Sequence, residues 1–258
     1  MASEKLAGAP QFNKITFATI RRSLDLGLRD MFSAKGYAFA FTLPYVLGGL
    51  IFTYITWATS ESYWLIFAAV GFPLLGPFAS VGLYEVSRRR ENGLPLDRKA
   101  IFGVVSRQRS GQLPWLSAVI IMIVMFWFFL GHMIFALFLG LSAMTNISSS
   151  LSVFLTNEGI SMLVFGSVIG AVFSFLVFAI SVFGIPMLLD REVDFVTAMI
   201  VSFQTVLANP IVTVFWGVLI VLCLTVGMIP GFLALFLTMP LLAHASWHFY
   251  DQSIVKEQ

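Results

Sequence analysis

The fifteen Lys and Arg residues of this chain are confined to alternate connections between six long apolar segments. Six of them precede the first segment and seven lie between the second and the third, whereas Arg191 follows the fourth and Lys256 follows the sixth. The other three connections contain no basic residue. Loops rich in Lys and Arg stay on the cytoplasmic side of a membrane. The pattern therefore predicts a six-span protein with both termini in the cytoplasm.

Each apolar segment is long enough to cross a hydrocarbon core of about 30 Å as a helix of about 20 residues. Hydrophobic residues make up 59% of the chain and charged residues only 11%, so lipid must be part of its solvent. Short turns join the first two spans and the last two, which predicts antiparallel hairpins. The predicted spans are 37–58, 62–86, 114–139, 160–189, 211–228 and 231–250.

A shorter amphipathic segment precedes each hairpin. Apolar residues recur there at helical spacing, which predicts helices lying in the cytoplasmic interface with their apolar faces toward the bilayer. Asp97 and Asp194 stand where the N-caps of the second and third of these helices are expected. The apolar stripes are Ile20, Leu24, Leu28 and Met31, then Ile101, Val104 and Val105, then Phe195, Met199, Phe203 and Val206.

The same unit, an interfacial helix followed by a hairpin, thus occurs three times. The predicted fold class is an all-α membrane protein with six transmembrane helices in three hairpins, each preceded by a cytoplasmic amphipathic helix. This is a pseudo-threefold repeat whose axis runs along the membrane normal. We expect a flexible N-terminal tail over 1–13, one membrane domain over 14–252 and a C-terminal tail over 253–258. The repeats are approximately 14–86, 97–189 and 194–250.

Prolines occur in the inner half of the second helix of each hairpin. An interior proline frees a backbone carbonyl and bends the helix. The bends are expected mainly to let the three hairpins close around each other, and a gating or ligand-binding role is the alternative. The candidate kinks are Pro73, Pro77, Pro186 and Pro240.

Polar side chains near the cytoplasmic helix ends are the main candidates for chemistry. His244 and His248 are one helical turn apart, with Asp251 one turn beyond, which is acceptable metal-ligand spacing. The third histidine, His132, is expected near the opposite leaflet. We therefore expect no metal site, and histidines paired with Glu85, Asp190 or lipid headgroups. The candidate polar cluster is Glu85, Asp190, Arg191, His244, His248 and Asp251.

The basic residues of the second cytoplasmic connection are candidate contacts for anionic lipid or an acidic partner. Topology control alone also explains them. Glu85 is expected to pair with Arg88 or Arg89 at an exposed helix end, at a gain of a few tenths of a kcal/mol. Nucleic-acid binding is not expected. The candidate lipid or partner contacts are Arg88, Arg89, Arg90, Arg107 and Arg109.

The sequence contains no catalytic signature such as a Walker A loop, an HExxH motif or a nucleophile elbow. The spans also contain no charge near the membrane midplane, where ion-coupled transporters usually carry one. We therefore expect a non-enzymatic protein without a cofactor, working as an accessory, assembly or scaffold component through membrane partners or lipids. The alternative is a small-solute carrier or channel that uses the proline-kinked helices. A polar cavity beside those prolines would favour the carrier.

Three motifs stand out: Gly82-Leu-Tyr-Glu-Val-Ser-Arg-Arg89, Gly184-Ile-Pro-Met-Leu-Leu-Asp-Arg-Glu-Val-Asp-Phe195 and Pro240-Leu-Leu-Ala-His-Ala-Ser-Trp-His-Phe-Tyr250. Together they resemble a family of bacterial integral membrane proteins that is common in proteobacteria and has no established activity. The resemblance covers about residues 20–252 and implies an inner-membrane protein. Members are sometimes labelled cytochrome c oxidase subunit I-like, but an oxidase core needs about six histidines for its haems and copper, and this chain has three. The resemblance therefore supplies no functional residues.

Overall fold

The computed structural model describes residues 6–59, 64–140 and 151–256, without the side chains of residues 6, 64–76, 78, 151 and 152. Nearly all of the described chain is helical, as predicted. The longer helices are α2 (Lys35–Thr59), α3 (Trp64–Glu91), α5 (Leu113–Leu139), α6 (Asn157–Ser181), α9 (Pro210–Met228) and α10 (Leu235–Ser253). The shorter helices are α1 (Phe17–Ser33), α4 (Arg98–Arg109), α7 (Gly184–Asp190) and α8 (Phe195–Ala208).

Four helical segments within the described residues are long and apolar enough to cross a membrane. They are α2, α5, the stretch from α6 through α7, and α9. The other two predicted spans also coincide with helices, α3 and α10, but these are not among the four. In chain order a short helix precedes two long ones three times, and the two long helices of each set contact each other.

Side chains cap two of the short helices where the sequence predicted it. The Asp97 carboxylate accepts hydrogen bonds from the backbone N–H groups of Lys99 and Ala100 at the start of α4. The Asp194 carboxylate accepts one from Thr197 N–H at the start of α8. Each cap satisfies backbone donors that the first helical turn leaves unpaired.

The short helix α1 packs along α10, and its buried face includes Ile20 and Met31 of the apolar stripe that is predicted to face the bilayer. Leu28 is 38% exposed and Leu24 is only half-buried. A Cβ atom added to Gly27 would lie 2.8 Å from the backbone N of Ala245, so the two helices approach almost to backbone contact. Close packing on a neighbouring helix selects small residues and turns large apolar ones toward lipid. The residues of α1 that are buried are Ile20, Ser23, Gly27, Asp30 and Met31.

The N-terminal residues form a strap across the end of the helix bundle, where a flexible tail was expected. Strand β1 (Leu6–Ala7) pairs in parallel with β2 (Arg191–Glu192). Phe12 forms an isolated β-bridge with Ile254, and Asn209 Oδ1 accepts a hydrogen bond of 2.9 Å from Ile15 N–H. Residues 6–15 therefore contact three other segments: the strand that precedes α8, the junction between α8 and α9, and the C-terminal segment.

The candidate kink Pro186 is the third residue of α7. It therefore lies close to the break between α6 and α7. The side chain of Ser202, on α8, enters this break. Its hydroxyl donates to Ala179 C=O at 2.6 Å and accepts from Phe183 N–H at 3.1 Å, two groups that would bond each other in a continuous helix. Pro77 and Pro240 lie inside the continuous helices α3 and α10, and Pro73 also belongs to α3 with its side chain outside the described residues.

Candidate functional site

A polar network joins α1, α3 and α10 at the end of the bundle that the strap crosses, here termed the charged end. At its centre, His248 Nε2 lies 2.8 Å from Asp30 Oδ2 and His248 Nδ1 lies 3.1 Å from Glu91 Oε1. Arg90 Nε lies 2.7 Å from the other Asp30 oxygen, and Trp247 Nε1 donates to Glu91 at 2.8 Å. The network therefore links three helices that are far apart in sequence.

A second histidine extends this network toward the interior of the bundle. His244 Nδ1 lies 2.8 Å from the hydroxyl of Ser87, which in turn bonds the carboxylate of Asp30. His244 is fully buried, and its Nε2 has no hydrogen-bond partner among the described residues. The polar network thus runs from Glu91 through His248, Asp30 and Ser87 to His244, which is shielded from water.

The two carboxyl groups of the network are held in their ionised form. Burial raises the pKa of Asp30, but hydrogen bonds from His248 and Ser87 outweigh it, so this pKa lies below its usual value. Desolvation also raises the pKa of Glu91, but the hydrogen bonds from His248 and Trp247 lower it by more. This pKa therefore also lies below its usual value. Hydrogen bonds to the charged form of an acid favour ionisation in this way.

Glu85 pairs with both Arg88 and Arg89, at 2.9 Å and 3.3 Å, but not at an exposed helix end as expected. The Glu85 side chain is 1% exposed, and both arginines are buried. Removing one member of such a pair would leave a buried charge without its partner, which typically costs about 3–5 kcal/mol rather than a few tenths. Arg88 and Arg89 are therefore paired within α3, with little of either side chain exposed.

The remaining members of the predicted polar cluster form two further groups. Asp190 accepts a hydrogen bond from the Tyr250 hydroxyl at 3.0 Å and lies beside Arg191. Asp251 lies 2.9 Å from Lys256 Nζ and is hydrogen-bonded to Glu91, so it adjoins the network. No group of three or more His, Cys, Asp or Glu side chains suited to a metal ion occurs among the described residues. Glu85 and Asp190 were the partners predicted for the two histidines. Neither is observed, because the histidines contact Ser87, Asp30 and Glu91 instead.

The helix α4 leaves a basic surface exposed. Ile101 and Val104 are buried against the bundle, whereas Arg107 and Arg109 point outward. Within the described part of the chain, no carboxylate lies within ion-pair distance of these arginines, and Arg107 donates to the backbone of Ala100. Arg90, the remaining candidate, is committed to Asp30.

Two cavities adjoin these elements. The first, of about 660 Å³, is an open polar pocket at the charged end, beside Arg22, Glu91, Asp251 and Lys256. The second, of about 370 Å³, lies inside the bundle between helices of all three hairpins.

The inner cavity is mostly apolar but has a hydroxyl-bearing side. Its lining includes Ile185, next to Pro186, and Met239, next to Pro240, so two of the candidate kinks adjoin it. None of the described lining residues carries a charge. The hydroxyl groups are those of Tyr45, Ser80, Tyr84, Ser181 and Ser246.

Residues 65–190 match the family described as predicted integral membrane protein (DUF2189). The motif from Gly82 to Arg89 falls inside this range, whereas the motif from Pro240 to Tyr250 lies outside it. The family match and the four apolar helices of spanning length together show to which class of protein this chain belongs. This chain is an integral membrane protein. No curated protein and no solved structure is significantly similar to it.

Sequence reasoning missed four members of the network in this integral membrane protein: Asp30, Ser87, Glu91 and Trp247. A signal for Asp30 was present, since Ser23, Gly27 and Asp30 share one face of α1 at spacings of four and three residues. Small and polar residues at such spacing mark a helix–helix contact in a membrane protein. The prediction of an interfacial helix, with its apolar stripe toward the bilayer and its polar residues toward headgroups, gives Asp30 no buried partner.

Proposed function

We propose that this protein crosses a bacterial inner membrane six times, with the charged end and both termini in the cytoplasm. The distribution of Lys and Arg supports this orientation. The contacts of the strap with β2 and the C-terminal segment support it too, because they require the N-terminus, the α7–α8 connection and the C-terminus to lie on one side. The helices α3 and α10 are then the second and sixth spans.

Single cysteines test the orientation. In a Cys223→Ala background, Ser3→Cys and Ser149→Cys are each treated with a membrane-impermeant maleimide. We expect Ser149→Cys to react in intact spheroplasts and Ser3→Cys to react only in inverted vesicles. Reaction of both positions from the same side would contradict the six-span topology.

For its role, we propose a non-enzymatic accessory, assembly or scaffold component that works through a membrane partner or anionic lipid. The exposed basic surface of α4 carries this proposal. Arg107 and Arg109 lie outside the ion pairs of the bundle, unlike Arg88, Arg89 and Arg90. A helix that packs through one face and leaves a basic face exposed can bind an acidic protein surface or anionic lipid by electrostatic attraction.

Isolation of the tagged protein from its native membrane tests this role. We expect a stoichiometric protein partner by mass spectrometry, reduced by the double variant Arg107→Gln/Arg109→Gln. The matched control is Arg21→Gln/Arg29→Gln, which removes two exposed charges from α1. Recovery of the chain with lipid alone, unaffected by the α4 variant, would contradict the accessory role.

A second candidate is a carrier for an uncharged or amphipathic solute. The hydroxyl-bearing side of the inner cavity, which adjoins Pro186 and Pro240, is the observation that favours it. Its test is glycerol flux into vesicles that contain the protein, followed by light scattering. Flux above that of protein-free vesicles, and lost in Ala243→Phe, would support the carrier, whereas equal rates would exclude it for this solute.

A further inference from the structure

The inner cavity is polar at one end and apolar at the other. Ser181, Tyr84 and Ser246 lie toward the charged end, since Ser246 is two residues from His248 and Ser181 directly precedes the α6–α7 break. Helix α9 begins at the strap and ends at Met228, which lines the opposite end of the cavity. Met228 is 44% exposed, so this apolar end reaches the protein surface.

The hydroxyl groups at the polar end define what a ligand must offer. The Ser181 hydroxyl donates its hydrogen to Val177 C=O at 2.7 Å, which leaves its oxygen able to accept. The Tyr84 hydroxyl is hydrogen-bonded to the hydroxyls of Ser80 and Ser246. Because no described lining residue is charged, an ionised headgroup would be buried without a counter-charge, at high cost. A neutral headgroup with a hydroxyl donor fits these acceptors.

The volume and its opening limit the rest of the ligand. A space of about 370 Å³ equals roughly the liquid volume of a dozen water molecules. It can admit one aliphatic chain but not a phospholipid with two. The side chains of Leu224, Met228 and Met239 along the apolar end are flexible or branched aliphatic groups that pack against such a chain.

We propose that this cavity binds a neutral single-chain amphiphile, with its hydroxyl headgroup at Ser181, Tyr84 and Ser246 and its chain directed toward Met228. Binding requires no transport and no contact with α4. The proposal is therefore independent of the accessory role, and it names a ligand class for the cavity whether or not solutes cross the membrane.

The test uses the full chain in phosphatidylcholine nanodiscs with dodecanol that carries a photoreactive diazirine on its chain. We expect crosslinks on the peptides that contain Leu224, Met228 or Met239. Unlabelled dodecanol should compete, and dodecyltrimethylammonium at the same mole fraction in the bilayer should not. Equal competition by the cationic amphiphile would overturn the neutral-headgroup assignment.

Variants locate the ligand within the protein. Ser181→Ala and Ser246→Ala should each lower the bound fraction about fivefold, the effect of one hydrogen bond. Ser174→Ala, an exposed serine on the same helix α6, is the matched control and should bind normally. Ala243→Phe should fill the cavity and abolish crosslinking. Labelling unchanged in Ala243→Phe and both serine variants, with thermal unfolding as in the parent protein, would overturn the proposal.

Discussion

The imidazole of His248 bonds the carboxylate of Asp30 at 2.8 Å across 218 residues of sequence, and this pair fastens α1 to α10. Its other ring nitrogen faces Glu91, so the ring can donate to both carboxylates only when both nitrogens carry a proton. The arrangement is thus a cation between two anions, with Arg90 as a second cation. Both residues of the central pair are buried, which makes each dependent on the other.

Replacing Asp30 by Asn should therefore destabilise the protein strongly. The change leaves the imidazolium and Arg90 with one carboxylate between them, and loss of one partner of a buried pair costs about 3–5 kcal/mol. Thermal unfolding in detergent, followed by tryptophan fluorescence, measures the effect. Asp25→Asn is the control, since Asp25 is exposed on the same helix. Equal midpoints for the two variants would show that the pair does not contribute to stability.

Acid should weaken the same attachment. The pKa values of Asp30 and Glu91 are lowered in the folded protein, whereas unfolded carboxyls titrate near pH 4. Their contribution to stability is therefore complete above about pH 4 and is lost as the pH falls through the lower, folded-state pKa values. Unfolding midpoints between neutral pH and pH 3 should fall more steeply in the parent protein than in Asp30→Asn/Glu91→Gln. Parallel curves would argue against these two groups.

The sequence predicts the helices well because lipid imposes a simple rule on composition. Long apolar runs such as that of α5 can only be helices across the bilayer, and short amphipathic ones such as α4 carry visible caps. Asp97 and Asp194 act as predicted because a cap is a local interaction, decided by residues three positions apart. Structure that depends on interactions between residues close in sequence can therefore be predicted from one sequence.

The polar network was not predicted because it depends on which helices become neighbours. Glu91 appeared to follow the second span as one more charge in a basic loop, and Asp30 to lie on an interfacial helix. Only the packing of α1 on α10 brings both to His248. In a membrane protein the large apolar residues face lipid, so a hydrophobic stripe does not identify the face of a helix that contacts its neighbours. This applies to α1 and equally to α8, whose buried residues include Ala198 and Ser202.

The contact between α1 and α10 predicts a specific glycine requirement. Gly27→Ala would place a Cβ atom 2.8 Å from the Ala245 backbone N and 2.9 Å from its Cβ, so the helices must move apart. Overpacking of this kind costs about 1–3 kcal/mol and should also lengthen the distance from Asp30 to His248. Gly48→Ala in α2 is the control, because an added Cβ there meets nothing within 4 Å. Identical unfolding midpoints for the two variants would contradict the close approach.

The break beside Pro186 depends on Ser202 in a way that one substitution can test. Ser202→Ala removes the hydroxyl that bonds both Ala179 C=O and Phe183 N–H, and leaves these buried groups unpaired. An unsatisfied buried polar group costs about 1–3 kcal/mol, so the unfolding midpoint should fall by several degrees. Amide exchange at Phe183 should accelerate at the same time. Ser106→Ala, on the exposed side of α4, should change neither value. Unaltered exchange at Phe183 in Ser202→Ala would mean that the break is held open by Pro186 alone.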